Sequence, residues 1–300
     1  MKDTIHQNIS HLARKAGDII RSGYENRTQV TQKGMIDLVT ETDFASESFI
    51  MNGLRAAYPD ATILAEESGL HETSGQLRFV IDPLDGTVNF AHGIPYFCVL
   101  ISAQQKDASG AYITTASVTY DPMRDELFMA LKDGGATRNE QAIHVSKVNS
   151  LMQSLLVTGF GYERLYSQPD NHREFCRLNL LSQGVRRFGS AGLDMAYVAC
   201  GRLDGYWEYG LNPWDKAAGI LLIQEAGGTV TTMAGETADC DSPEVVAAGL
   251  NLHPLLRQAL CSAQQEAINS RDGLEAFLPD DAAQKLRENK RQGIEWQSIK

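Results

Sequence analysis

The 300-residue chain is 43% hydrophobic and carries 27 Lys and Arg against 38 Asp and Glu, a formal net charge of −11 at pH 7. That apolar fraction supplies a sizeable core, as one large domain or two closely packed halves, while the acidic balance disfavours nucleic acid as the main partner. An acidic protein that handles phosphate needs cations. Cys98, Cys176, Cys200, Cys240 and Cys261 include no CxxC pair and read as reduced core thiols, which points to the cytoplasm. The first residues lack the charged-then-apolar layout of a signal segment, and no apolar run approaches ~18 residues, so neither secretion nor a membrane span is expected.

Ile5, Ile9, Leu12, Ala16 and Ile19 follow helical spacing and predict an amphipathic helix over residues 3–24. An extended run over 32–43 brings Thr40 or Thr42 to cap a helix over 44–58, with Asp43 in its first turn. Helix-dipole stabilisation alone explains an acid there. Residues 61–64 form a short apolar strand that ends at Glu66 and Glu67, adjacent acids that a solvated loop also explains, and 68–76 reads as a loop.

The chain is organised around RFVIDPLDGTVNF, residues 78–90. Phe79, Val80 and Ile81 have strand character, and Pro83, which cannot donate to a ladder, is expected to end the strand at Asp82. Asp85, Gly86 and Thr87 follow, and a helix starting there directs free N–H groups toward both carboxylates. P-x-D-G is also a turn signature. The other reading is a hard-cation site, because two ionised aspartates held close repel unless an ion such as Mg²⁺ neutralises them. If the strands ending in Glu66 and Asp82 are neighbours, these acids can share that ion.

Alternating runs at 96–103, 111–120, 126–131 and 136–145 with turn-rich connections predict an antiparallel meander. The periodicity changes near Asn149. We therefore expect an N-terminal half at 1–148 with the antiparallel sheet and most of the acids, a C-terminal α/β half at 149–268, and an extra tail at 269–300. In the second half a strand at 155–158 precedes the loop Gly159-Phe160-Gly161 and a helix near 171–182. Gly189-Ser190-Ala191-Gly192 leads into a helix over 193–200, where plain capping and contact with a polar ligand both fit. A strand over 203–209 carries Glu208. Asn212-Pro213-Trp214-Asp215 opens a helix that stops at Gly227-Gly228, with Asp215 as a first-turn acid. Strands at 229–233 and 244–248, a helix over 254–268 and, in the tail, a capped helix over 282–290 complete the reading.

AEES at residues 65–68, DPLDGTVNF at 82–90 and WDKAAG at 214–219, in that order, resemble the inositol monophosphatase family of Mg²⁺-dependent, lithium-sensitive phosphatases. DLVTETD at 37–43 and Gly189-Ser190-Ala191 also match, so the resemblance covers roughly residues 5–265. It implies an α/β (α+β) fold layered αβαβα, and a homodimer. It implies two to three Mg²⁺ ions: one on Glu66, Asp82 and the carbonyl of Leu84, one on Asp82, Asp85 and Asp215, and a third that Glu66 helps to hold. Gly86 and Thr87 would offer N–H groups to phosphate. Asp43 and Thr87 would position and deprotonate the attacking water, with Glu66 competing for that task, while Ala191, Glu208 and Asp215 would lie on the substrate side. The implied reaction is hydrolysis of a phosphate monoester, first myo-inositol monophosphate or a similar polyol phosphate. Histidinol-phosphate or fructose-1,6-bisphosphate is the alternative on the same fold, and a partner-binding regulator that retains the fold is the alternative of another class. Gly192 departs from the alanine that many members carry. No G-x-S-x-G elbow, phosphatase-type cysteine loop or HExxH is present, so serine, thiol and zinc hydrolase mechanisms lack their usual parts.

Overall fold

The computed structural model describes residues 4–26, 30–32, 38–162, 164, 169–263, 284, 287 and 288. Helix α1 (Ile5–Asn26) buries Ile9, Leu12 and Ala16 of the expected stripe together with Ala13 and Ile20, while Ile5 and Ile19 are half-buried. The hairpin β1 (Val30–Gln32) and β2 (Leu38–Thr40) delivers helix α2 (Glu41–Ala57). This helix starts at Glu41 rather than at Phe44, because Thr40 is the cap: its hydroxyl accepts Thr42 N–H, and its own N–H donates to Asp43 Oδ2 at 2.9 Å.

Strands β3 (Thr62–Ala65), β4 (Gly69–His71) and β5 (Leu77–Asp85) follow. The segment expected as a loop thus contains β4, which pairs antiparallel with β3. Strand β5 does not end at Asp82. Its register with the next strand jumps from Asp82 opposite Leu100 to Asp85 opposite Cys98, so Pro83 and Leu84 share a bulge that absorbs the residue lacking an N–H. Then come α3 (Thr87–Ala91) and the meander β6 (Cys98–Lys106), β7 (Tyr112–Asp121), β8 (Glu126–Leu131), β9 (Gly135–Arg138) and β10 (Gln141–Ala142). The single run expected over 136–145 breaks into β9 and β10 at Asn139-Glu140, both at positive φ.

The remaining elements are β11 (Leu155–Thr158), α4 (His172–Leu181), β12 (Gly184–Arg186), α5 (Ala191–Ala199), β13 (Gly205–Tyr209), α6 (Pro213–Glu225), β14 (Gly228–Thr231), β15 (Glu244–Gly249) and α7 (His253–Ala263). The large sheet runs β10-β9-β8-β7-β6-β5-β3-β4 and the small one β12-β11-β13-β15-β14. Helices α1 and α2 cover the outer face of the large sheet, α5 and α6 lie between the sheets, and α4 and α7 cover the far face of the small sheet. This is the expected αβαβα layering. Helix α6 shows why it holds: every residue from Lys216 to Ile223 is buried, as a helix flanked by sheets on two sides requires. No described helix is long and apolar enough to cross a membrane. The expected tail helix over 282–290 lies outside the described residues except for Gln284, Arg287 and Glu288.

Candidate active site

Strands β3 and β5 run parallel with Ala65 opposite Ile81, so Glu66, just past the end of β3, stands beside Asp82, where β5 enters its bulge. Glu66 N–H donates to Ile81 O at 3.2 Å, and the Glu66 carboxyl stands close enough to Asp82 to raise its proton affinity. The bulge carries Asp85 across to the start of α5. There Asp85 Oδ2 accepts the Ser190 hydroxyl at 2.6 Å, Gly192 N–H at 2.7 Å and the Cys98 thiol at 3.5 Å. Asp215 sits in the first turn of α6, its Oδ2 accepting Asn212 N–H at 2.7 Å. All four acids line one cavity of about 300 Å³, together with Leu84, Gly86 and Thr87.

Burial and mutual charge dominate the electrostatics. Asp82, 2% exposed, is held well above the usual carboxylate range by burial first and then by the charges of Glu66, Asp85 and Asp215. Burial raises Asp85 against the pull of its hydrogen bonds, and burial beside Asp85 pushes Asp215 up to about 8. Lys216, next in sequence, lowers Asp215 but does not cancel the rise, and its ammonium hydrogen-bonds to the carbonyls of Leu211 and Ser242. Among the described residues no three acids already form a closed coordination shell. The donor set nevertheless fits a hard divalent cation, being all oxygen and short of positive charge.

Thr87 opens α3 and is the hinge between the cavity and a buried acid. Its hydroxyl lies 3.1 Å from Asp43 Oδ1 and 3.0 Å from Leu84 O, so its single proton chooses between two acceptors. Asp43 is fully buried and does not line the cavity; it stands one hydrogen bond behind it, raised above the ordinary carboxylate value by burial while Thr40 and Thr87 oppose the shift. Gly86, the cap of α3, has φ +96°, and a Cβ there would come within 3.0 Å of Tyr96 O.

The opposite wall holds Glu208 on β13, pushed up to about 7 by burial while the Tyr206 hydroxyl, 2.6 Å away, and Arg187 oppose the rise. Gly159 is required here by proximity, since a Cβ would overlap the Glu208 carboxylate at 2.1 Å. Ala191 lines the cavity, and the N–H of Gly192 beside it donates to Asp85. Asp194 and Arg187 also line it and were not singled out from sequence. Asp194 reads as an ordinary first-turn acid of α5, and Arg187 carries no signal beyond its place before the glycine-serine turn.

The raised acids have a consequence for stability. An acid whose folded-state value is raised supports folding fully below the ordinary carboxylate range and loses that support as pH rises through the folded value, here near 7 for Glu208 and 8 for Asp215. Glu208 alone accounts for about 3 kcal/mol, at ~1.4 kcal/mol per tenfold in proton affinity. Chelator-treated protein is expected to melt several degrees lower at pH 8 than at pH 5.5, and Mg²⁺ to raise the melting temperature more at pH 8. Differential scanning fluorimetry at both pH values checks this, and equal melting temperatures would contradict it.

The sequence profile of the inositol monophosphatase family matches residues 1–269. Inositol-1-monophosphatase of Synechocystis sp. is 46% identical over 252 residues, 83% of this chain and 86% of that protein. Nus factor SuhB of Escherichia coli is 43% identical over 226 residues, 74% of this chain and 83% of that protein. The solved structure of inositol monophosphatase from Anabaena superposes with a TM-score of 0.77 at 40% identity, covering 86% of this chain and 95% of that one. With the layering, the parallel β3–β5 pairing and the acids on one cavity, these matches establish that the chain belongs to the inositol monophosphatase family.

Proposed function

We propose that this chain is a Mg²⁺-dependent phosphomonoesterase whose substrate is the phosphate ester of a small polyol, myo-inositol monophosphate first. The observation that carries the reading is the convergence of Glu66, Asp82, Asp85 and Asp215 from three separate segments on one cavity, beside the Thr87–Asp43 pair. These acids and the Leu84 carbonyl would hold two to three ions. Bound Mg²⁺ supplies Lewis acidity toward the phosphate oxygens and toward water. The N–H groups of Gly86 and Thr87 orient the phosphate. Thr87 Oγ takes a proton from the attacking water as it passes its own to Asp43, and Glu66 faces the same space from the β3 end.

Glu208 supports the polyol assignment. A carboxyl raised to about 7 is both donor and acceptor near neutral pH and suits a ring hydroxyl. Relative kcat/KM across inositol, histidinol and nucleotide monophosphates and fructose-1,6-bisphosphate tests the substrate class; a preference for histidinol-phosphate or the bisphosphate would move the assignment to that alternative. Glu208→Gln is expected to lower kcat/KM for inositol monophosphate by about tenfold, on the order of one lost hydrogen bond, and to leave hydrolysis of a hydroxyl-free aryl phosphate within about twofold. Equal losses on both would remove Glu208 from substrate recognition. The family resemblance also makes a homodimer part of the proposal, which sedimentation equilibrium tests.

A second reading rests on the 43% identity to a protein named Nus factor SuhB: the same fold also serves as a partner-binding surface. Pull-down with a catalytically dead metal-site variant separates the two, since partner capture that survives loss of turnover supports this role.

A further inference from the structure

Helix α2 buries a polar face that the hydrolytic reading uses only at Asp43. Asp43, Ser46, Glu47 and Met51 lie on one side of the helix, and each grips a different part of the acidic cavity's frame. Asp43 accepts the Thr87 hydroxyl, and Ser46 Oγ donates to Pro83 O, within the bulge, at 2.8 Å. Glu47 uses both oxygens on the turn that follows Glu66: Oε2 accepts Glu67 N–H at 2.8 Å and Oε1 accepts Ser68 N–H at 3.0 Å. Ser68 Oγ in turn donates to Met51 Sδ at 3.3 Å.

Glu47 is 4% exposed, so its two N–H contacts are charge-assisted hydrogen bonds shielded from water. They satisfy backbone donors that the end of β3 would otherwise leave unmade, and they set the direction in which Glu66 leaves the strand. The helix does not need them to stay in place, because Ile50 and Leu54 are fully buried in the main core. Their specific effect is on the register of the Glu66 turn against the bulge that carries Asp82 and Asp85.

We propose that Glu47 is a positioning residue for cation binding: through Glu67 and Ser68 N–H it aims Glu66 at Asp82, and α2 as a whole locks the turn, the bulge and Thr87 in one mutual arrangement. This rests on the reading of the acids as a Mg²⁺ site. Glu47→Gln keeps the volume and one acceptor but turns an amide NH₂ toward one of the two N–H groups, donor against donor, which forces the turn to shift. Glu225 provides a matched control, since its oxygens make the same pair of bonds to Asp133 N–H at 2.9 Å and Gly135 N–H at 2.8 Å, on a hairpin outside the cavity.

The test is calorimetric titration of Mg²⁺ into the chelator-treated full chain, with thermal melting alongside. Glu47→Gln is expected to weaken Mg²⁺ binding by about tenfold, and Glu225→Gln to leave it within about twofold of wild type whatever its fall in melting temperature. Wild-type affinity in Glu47→Gln, or equal weakening in Glu225→Gln, would overturn the positioning role. Absence of Mg²⁺ uptake by wild type would overturn the metal reading itself and this proposal with it. Should Glu47→Gln not fold, Ser46→Ala removes only the hydroxyl that holds the bulge and is expected to weaken Mg²⁺ binding about threefold, with unchanged affinity counting against the proposal.

Discussion

Asp215→Asn is expected to lower turnover by about 10³-fold or more while the metal-free protein becomes no less stable at pH 8. The two effects have opposite signs for one physical reason. The carboxylate is pushed up to about 8 by burial beside Asp85, so at pH 8 the folded protein carries an ionised group it holds poorly. Asparagine removes that charge, and its amide oxygen can still accept Asn212 N–H, the cap bond of α6. The fold therefore keeps its helix start and loses a source of repulsion. The chemistry loses one of the anionic ligands that would hold Mg²⁺ against the transferring phosphate, and a factor of 10³ corresponds to about 4 kcal/mol of transition-state stabilisation. Steady-state turnover at saturating Mg²⁺ and a melting curve in chelator check both halves. Wild-type turnover would remove Asp215 from the metal site, and a large fall in stability would mean that the acid serves structure first.

Part of this was legible in the chain and part was not, for identifiable reasons. The Phe79-Val80-Ile81 run, the helix start after Gly86 and the turn-rich meander are local signals, and each element is present near its reading, although the run over 136–145 splits at Asn139-Glu140. Pro83 misled because a proline ends pairing only where the strand has no room to bulge, and the partner strand's register is not written locally. Helix α6 lost its amphipathic signature to the second sheet and was read from Pro213 and Gly227-Gly228 instead. Glu47 looks like a solvent-facing acid of a surface helix; only the turn 20 residues later gives it a role. Asp194 reaches the cavity from α5, which packs against the large sheet, and Arg187 from the segment between β12 and α5, placements that no short-range pattern encodes. The acids were readable as a set because each lies beside a local break or start, Glu66 after β3, Asp82 and Asp85 around the Pro83 bulge and Asp215 in the first turn of α6, while the depth of each relative to the cavity was not.

Asp43 makes that last distinction testable. As Thr40-x-x-Asp43 it is a capping acid, yet its second oxygen faces Thr87, 44 residues away, and Thr87 faces the cavity. In Asp43→Asn the amide oxygen keeps the Thr40 contacts, at 2.9 Å to N–H and 2.5 Å to the hydroxyl, which leaves the NH₂ pointing at Thr87. The hydrogen bond then reverses: the amide donates to Thr87 Oγ, the threonine proton is confined to Leu84 O, and no acceptor remains behind it for a proton taken from water. Turnover is expected to fall by about 10²–10⁴-fold, the usual contribution of a positioned base. Mg²⁺ affinity measured by titration is expected to fall no more than about threefold, because all four cavity acids remain and only the Thr87 hydroxyl on Leu84 O changes its sharing. The pH profile adds the sign: the carboxylate is the working form and burial raises its value, so wild-type kcat/KM climbs with pH through a limb above the ordinary carboxylate range, and the variant lacks that limb. Loss of Mg²⁺ binding in Asp43→Asn would make it a structural support of the metal acids. A retained limb would assign the base to Glu66, the competing acid on the cavity wall.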